Sequence, residues 1–418
     1  MQRSEVAVTH MQINLKDRIK FLTGDESILL NSAEIPALPM FSDVVVSFLS
    51  ELSKELLSVP GIREHVDIIS YAYWIRKASL EKEKQKYNFD EYRLGRGVAF
   101  HIAPSNVPVN FAVSMTSSLL AGNVTIIRVS NKDFIEVKII CDAINRVLVK
   151  DDFANMRSYI CIIRYEHNDE ISSYLSSICD IRIIWGGNNT INQIRRFPIP
   201  PRAIEMCFAD RHSIAVIDPE KYLEQDPADV AKKFFTDTYY TDQNACSSPR
   251  IVIWLGENQN AKKTFWSALD NELKSRYDIQ PVQVIDKVSM FTEISMKMDG
   301  VRLVNEVSSD NRLMVIDIPS LKLDTDTVMD YKMNSGYFYQ YTATGLDDIL
   351  PILNKNCQTI AVLGIEKKDI VSFVMEKGVR GIDRVVDIGD TMGLEFVWDG
   401  FQMIESMSRI VYLYLSGN

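Results

Sequence analysis

Cys246 lies in the stretch TDQNACSSPR, residues 241–250, among small polar residues and directly before the apolar run Ile251, Val252, Ile253, Trp254. A cysteine that serves only packing sits inside an apolar pattern, where it behaves as a small hydrophobe. One in a polar loop at the mouth of a buried strand is placed where its thiolate can meet a substrate. Thiolates attack acyl carbons without strong activation, because thiol pKa values near ~8.5 fall readily beside a cation or a dipole. The chemistry open to this position is covalent catalysis through an acyl-cysteine; the plain alternative is a loop cysteine with no role.

Three other stretches hold groups that could serve such a nucleophile. In HIAPSNVPVNF (101–111), Pro104 and Pro108 stiffen the loop that carries Asn106. An amide held that way can donate to a developing oxyanion, worth a factor of about 10²–10³ in rate where such donors have been removed elsewhere. By itself, Asn106 reads more simply as an asparagine closing its own turn. In LLAGNVTIIRVSNKD (119–133), Gly122 and Asn123 suit a left-handed helix cap, and Arg128 and Ser130 end the strand that follows. There they could reach a cofactor's ribose or phosphate, although alone Arg128 reads as a surface arginine. The loop WGGNN (185–189) has two glycines that permit close approach of a ligand, before a helix N-terminus that favours anions. Neither it nor GRGVAF (95–100) fits GxGxxG, and the chain has no GxxxxGK[ST] phosphate loop and no HExxH pair. DTDTVMD (324–330) lacks the glycine and closing glutamate of a calcium loop and reads as a polar linker.

The elements that must position these groups follow from periodicity. Residues 41–58 and 61–86 read as two helices separated by Pro60. From residue 98 the pattern alternates: strand 98–103, helix 109–122, strand 124–128, helix 133–148, strand 159–164, helix 169–178, strand 181–185, and a short helix from Thr190. Near-continuous β-branched runs alternating with amphipathic helices indicate a parallel sheet covered on both faces. Such sheets bind ligands beyond the carboxyl ends of their strands, which selects the loops after 103, 128 and 185. A second series holds strands at 213–218, 250–256, 312–319, 337–342, 359–364 and 384–389, with helices over 226–237 and 258–276. The aromatic turn FVWDGF (396–401), a short helix and strand RIVYLYL (409–415) close the chain; that strand could complete an intermolecular sheet.

Composition sets the bounds. At 418 residues the chain exceeds what one core fills, and 46% hydrophobic with 24% charged residues is ordinary globular usage. A net charge of −10 argues against nucleic acid or an anionic membrane as partner. No stretch approaches the ~20 apolar residues of a membrane span, and MQRSEVAVTHMQINLKDR lacks a signal-peptide core, so a cytoplasmic protein is expected. The six cysteines (141, 161, 179, 207, 246, 357) show no CxxC or CxxH pairing and read as free thiols, with no metal site.

Taken in order, APSNVP, LLAGNVTIIRVS, IIWGGNN, QNACSSPR and the late WDG (398–400) resemble the aldehyde dehydrogenase superfamily. Within it they are most similar to the LuxC-type acyl-CoA reductases, the fatty-acid reductase subunit of bacterial bioluminescence systems and its relatives. The resemblance runs from about residue 40 to the end. It implies an α/β, aldehyde dehydrogenase-like fold: N-terminal helices and a Rossmann-like cofactor domain over 1–212, an α/β catalytic thiol domain over 213–384, and a return segment with an oligomerisation strand over 385–418. It implies Cys246 as nucleophile, Asn106 with the backbone N–H of Cys246 as oxyanion hole, Arg128 and Ser130 at the adenosine ribose, and Gly187 and Asn188 at the diphosphate. The implied reaction is NADPH-dependent reduction of a fatty acyl thioester, from CoA or an acylated partner protein, to a fatty aldehyde, with NADH as a second donor. A homo-oligomer and an acyl-protein synthetase partner are implied as well.

Two departures from the wider superfamily stand out. Phe208 occupies the position of the glutamate base of aldehyde-oxidising relatives, with Glu205 three residues earlier, and no glutamate precedes SGYFYQY (335–341) to grip the nicotinamide ribose. LuxC-type proteins share these departures. His212 is the one histidine nearby; it reads as a surface residue in a strand-entry turn, with a proton-donor role as the alternative. The competing readings are an oxidative NAD(P)-dependent aldehyde dehydrogenase and a non-catalytic scaffold for the synthetase.

Overall fold

The computed structural model describes residues 18–88, 91–304 and 310–414. The chain divides into two units. The first holds the residues up to Ala209 with Leu394–Val397 and the segment from Phe401; the second holds Asp210–Gly393 with Trp398–Gly400.

In the first unit, β1 (Lys20–Thr23), β3 (Val98–Ile102), β4 (Val124–Arg128), β5 (Ile160–Arg164), β6 (Ile181–Trp185) and β7 (Ile204–Phe208) form one sheet ordered β1-β5-β4-β3-β6-β7. β2 (Arg93–Gly95) lies outside it. The sheet is parallel except for the edge strand β1. β3 and β6 are buried along their whole length, as β-branched runs covered on two faces must be. The helix Asn110–Ala121 ends at Gly122, whose φ of 94° is left-handed and whose added Cβ would lie 1.9 Å from the Leu38 carbonyl oxygen, so only glycine fits. Asn123 then accepts from the backbone N–H of Arg96 and Gly97 and donates to the Met407 carbonyl. The AGN motif thus fixes where β4 begins.

The single helix expected over 61–86 is two, Val66–Trp74 and Lys77–Lys84. Arg76 is extended, and the Ser79 hydroxyl donates to the Tyr73 carbonyl while accepting from Arg76, a local competitor to helical bonding. β7 escaped the sequence reading because Glu205 interrupts its apolar run; the charge is tolerated because Arg182 on neighbouring β6 meets it. The closing strand is Ser408–Ile410, shorter than 409–415, and it pairs antiparallel with β2 of its own chain. Residues 411–414 carry no strand, and Leu415 lies outside the described residues.

In the second unit, β8 (His212–Ile217), β9 (Pro249–Leu255), β10 (Arg302–Leu303), β11 (Met314–Asp317), β12 (Tyr337–Ala343), β13 (Cys357–Leu363) and β14 (Arg384–Asp387) are ordered β10-β11-β12-β9-β8-β13-β14, parallel except for β10. Alternation feeds two cores. Ile214, Val216, Ile251 and Ile253 face one; Ala215, Ile217, Val252 and Trp254 face the other, with Phe234, Phe265 and Trp266. The helix Pro281–Lys297 was not anticipated, because a lysine interrupts its inner apolar face of Met290, Phe291 and Ile294 while other apolar residues are exposed. It buries Lys287, whose ammonium donates to the Asn311 and Ser335 carbonyls, while Val282 and Ile285 are exposed.

Candidate active site

The strand order of the first unit creates a ligand crevice. β3 lies between β4 and β6, so the connections leaving β3 and β4 diverge from the one leading to β6, and a switch point opens beyond the carboxyl ends of β3 and β6. The three loops singled out from sequence all leave this edge. Asn106 is exposed in the loop between β3 and the helix Asn110–Ala121. Arg128 ends β4; its guanidinium lies 4.8 Å from the Tyr165 ring centroid and donates to the Tyr165 carbonyl, while its Nε is buried with no partner among the described residues. Ser130 follows and accepts from the Lys132 N–H. Gly187 is the extended N-cap of the short helix Asn188–Ile194.

Beneath this edge, the Ser114 hydroxyl joins His101 Nδ1 (2.7 Å) and Trp185 Nε1 (3.0 Å). Phe208, at the end of β7, stacks on Trp185 with centroids 3.7 Å apart and planes 7° from parallel, and meets Phe401 edge-on. The position that the resemblance sets against a glutamate base is thus held by an aromatic ring packed among aromatics of its own unit. Glu205 is engaged elsewhere: Arg182 and Arg195 hold it, and Cys207 donates to it. Although burial raises its pKa, these hydrogen bonds prevail and keep the carboxyl below its ordinary range.

Cys246 belongs to the second unit, three residues before β9. The polar residues around it hold the loop. Asp242 and Gln243 are left-handed, with φ of 52° and 53°. Asp242 accepts from Tyr277, Gln283 and Ser335. The buried Gln243 amide caps the Gly336 and Tyr337 N–H groups and donates to the Pro249 carbonyl. Ser213 donates to the Cys246 carbonyl at 2.7 Å. The thiol is half-buried and free.

Two residues that the sequence reading assigned no role touch this centre. Gln358 Nε2, on β13, lies 3.3 Å from Cys246 Sγ and also donates to Asp399. Arg211 pairs with Asp399 at 3.0 Å and with Asp383, and donates to the Cys357 carbonyl. Asp399 is the middle residue of WDG, at a φ of 47°. That motif was a signal in the sequence; Gln358 gave none. Burial, then the Asp399 carboxylate, push the Cys246 thiol up to about 11, against the Gln358 hydrogen bond and Arg211, which lower it. The expected fall in thiol pKa is therefore corrected: the resting group is a thiol, because burial and the Asp399 carboxylate outweigh the Gln358 hydrogen bond and Arg211. His212 is also corrected, from surface turn residue to a buried position on β8. Burial, with Lys332 and Arg250 adding, holds it down at about 3, so it stays neutral, and its Nε2 has no hydrogen-bond partner among the described residues.

Among the described residues no cluster of three or more His, Cys, Asp or Glu could hold a metal ion, and no helix is long and apolar enough to cross a membrane.

Comparison with known proteins adds the following. The family model described as acyl-CoA reductase (LuxC) matches residues 75–410. The long-chain acyl-protein thioester reductase of Aliivibrio fischeri is 22% identical over 299 residues, 70% of this chain and 58% of the relative. This chain spans about three fifths of the length of the curated relatives it matches. The NAD-dependent benzaldehyde dehydrogenase of Corynebacterium glutamicum superposes with a TM-score of 0.60 at 15% identity, over 92% of this chain and 87% of that one. PnpE, solved in complex with nicotinamide adenine dinucleotide, superposes with a TM-score of 0.60 at 12% identity, over 86% and 80%. The fold is that of the aldehyde dehydrogenases.

Proposed function

Because this chain belongs to the acyl-CoA reductase (LuxC) family, we propose that it reduces a fatty acyl thioester to the fatty aldehyde through an acyl-Cys246 intermediate. The acyl donor is acyl-CoA or an acylated partner protein, the latter matching the name of the relatives, long-chain acyl-protein thioester reductase. The observation that carries the reading is the Cys246 thiol held by Gln358 in a hydrogen-bonded loop. It is supported within the first unit by Phe208, an aromatic ring stacked on Trp185 at the position that the resemblance sets against the base of an oxidising enzyme.

The chain's own groups would act as follows. Cys246 Sγ, as thiolate, bonds to the thioester carbon; the tetrahedral species collapses, expels the donor's thiolate and leaves an acyl-cysteine. Asn106 donates to the oxyanion of the tetrahedral species. Arg128 and Ser130 hold the cofactor's ribose, and Gly187 and Asn188 its diphosphate. The orphaned Arg128 Nε and the crevice beyond β3 and β6 fit such a group. A reduced nicotinamide dinucleotide, when bound, supplies the hydride that turns the acyl-cysteine into a thiohemiacetal, which releases aldehyde and regenerates the thiol. The balance is one thioester, one NAD(P)H and one proton giving aldehyde, free thiol and NAD(P)⁺. We propose NADPH as the preferred donor, since Asn131 and Lys132 stand where a carboxylate would repel a 2′-phosphate.

Hydrolysis of the acyl-enzyme needs a proton acceptor on water near the acyl carbon. With Phe208 stacked and Glu205 ion-paired, the acyl-enzyme should persist until hydride arrives. Incubated with labelled acyl-CoA and no cofactor, the protein should retain label that hydroxylamine releases, and Cys246→Ala should retain none. Release of free fatty acid at a rate comparable to NADPH-driven aldehyde formation would favour the oxidative alternative. No labelling at all would favour a scaffold.

A further inference from the structure

Cys246, Gln358, Asp399, Arg211 and Asp383 form one connected line within the second unit. Its chemistry is directional. Asp399, ion-paired with Arg211, offers only acceptors, so the Gln358 side chain must turn its NH₂ group toward Asp399. The second hydrogen of that NH₂ then faces Cys246 Sγ, and the amide oxygen is left for the Thr359 hydroxyl, 3.3 Å away. The amide cannot flip without opposing its oxygen to a carboxylate. Arg211 is itself half-buried and held by Asp383 and the Cys357 carbonyl, which anchors the far end of the line. We propose that Gln358 is a positioning residue for the nucleophile, stabilising the thiolate by hydrogen bonding, and that the WDG aspartate Asp399 orients it for that task.

This rests on Cys246 being the reactive group, as proposed above, and adds the device that makes it so. The charged groups acting on the thiol are Asp399, which opposes the thiolate, and Arg211 and Arg250, which favour it. Gln358 is the neutral donor among them, so its removal should leave the thiolate facing Asp399 with only the arginines, Arg211 itself paired with two carboxylates, to offset it.

The test is alkylation of the full-length protein by iodoacetamide at pH 8, assigned to Cys246 by peptide mass spectrometry. It needs neither acyl donor nor cofactor. Gln358→Leu should slow Cys246 alkylation about tenfold or more. A chain unfolded by the substitution would instead label its buried thiols, Cys141, Cys161, Cys179 and Cys357. The paired variant Gln358→Glu with Asp399→Asn then decides, because it rebuilds the 358–399 hydrogen bond with donor and acceptor exchanged but turns an acceptor toward the sulfur. The expected result is a melting temperature recovered relative to Gln358→Glu alone, with alkylation still about tenfold slow. A wild-type alkylation rate in folded Gln358→Leu or in the paired variant overturns the proposal. Slow alkylation in a protein whose wild type accepts no acyl thioester would uphold this inference and sink the functional reading instead.

Discussion

In the proposed roles, Asn106 and Cys246 would make opposite demands on their surroundings. Cys246 needs a loop that cannot move, and Asp242, Gln243 and Ser213 supply it through buried or partly buried hydrogen bonds. Asn106 needs to be reachable, and it is exposed on a loop whose stiffness comes from Pro104 and Pro108. An amide that acts on developing charge stabilises the transition state more than the bound substrate. Asn106→Ala should therefore leave acyl-donor binding nearly intact while slowing acylation roughly tenfold or more. Single-turnover acylation measured against donor concentration separates the two terms. A raised KM with unchanged kcat would make Asn106 a binding residue.

On the proposed function, cofactor choice would belong to the ends of β4 and β5. The strand pairing sets Arg128 beside Ile163, and the following residues carry both signs of charge. Asn131 donates to the Glu166 carboxylate at 3.0 Å, and Arg164 pairs with Asp133. In the proposed site Lys132 and Arg128 would favour an added phosphate, and Glu166, brought in from the loop after β5, would oppose it. The expected preference for NADPH is therefore smaller than Asn131 and Lys132 alone imply. Glu166→Gln should raise the NADPH-to-NADH ratio of kcat/KM several-fold, as expected for removing one nearby charge at partly exposed range. An unchanged ratio would place the 2′-phosphate elsewhere; an outright NADH preference in the wild type would overturn the cofactor proposal.

For the whole molecule, the unspent surface is the C-terminal segment. Tyr412, Leu413 and Tyr414 are 79%, 58% and 74% exposed, a run of apolar side chains of the kind that marks an interaction surface. We expect the protein to sediment above its chain mass of 47.7 kDa, and Leu413→Asp with Tyr412→Asp to shift it toward monomer. A monomer at micromolar concentration would refute the expected homo-oligomer. Sequence alone was enough for the parallel strands β3 to β6, because two-sided burial imposes unbroken β-branched runs, and for the loops at their carboxyl ends, because proline and glycine mark them. It also singled out the cysteine loop, since Cys246 stands among TDQN and SSPR and not inside an apolar run; its role as nucleophile is the proposal made above. It could not give β7, whose Glu205 is acceptable only beside Arg182, nor the helix Pro281–Lys297, whose Lys287 is buried only because two carbonyls converge on it. Nor could it give the state of Cys246. That depends on Gln358 and Asp399, 112 and 153 residues further along the chain, and distances of that kind are decided by strand order.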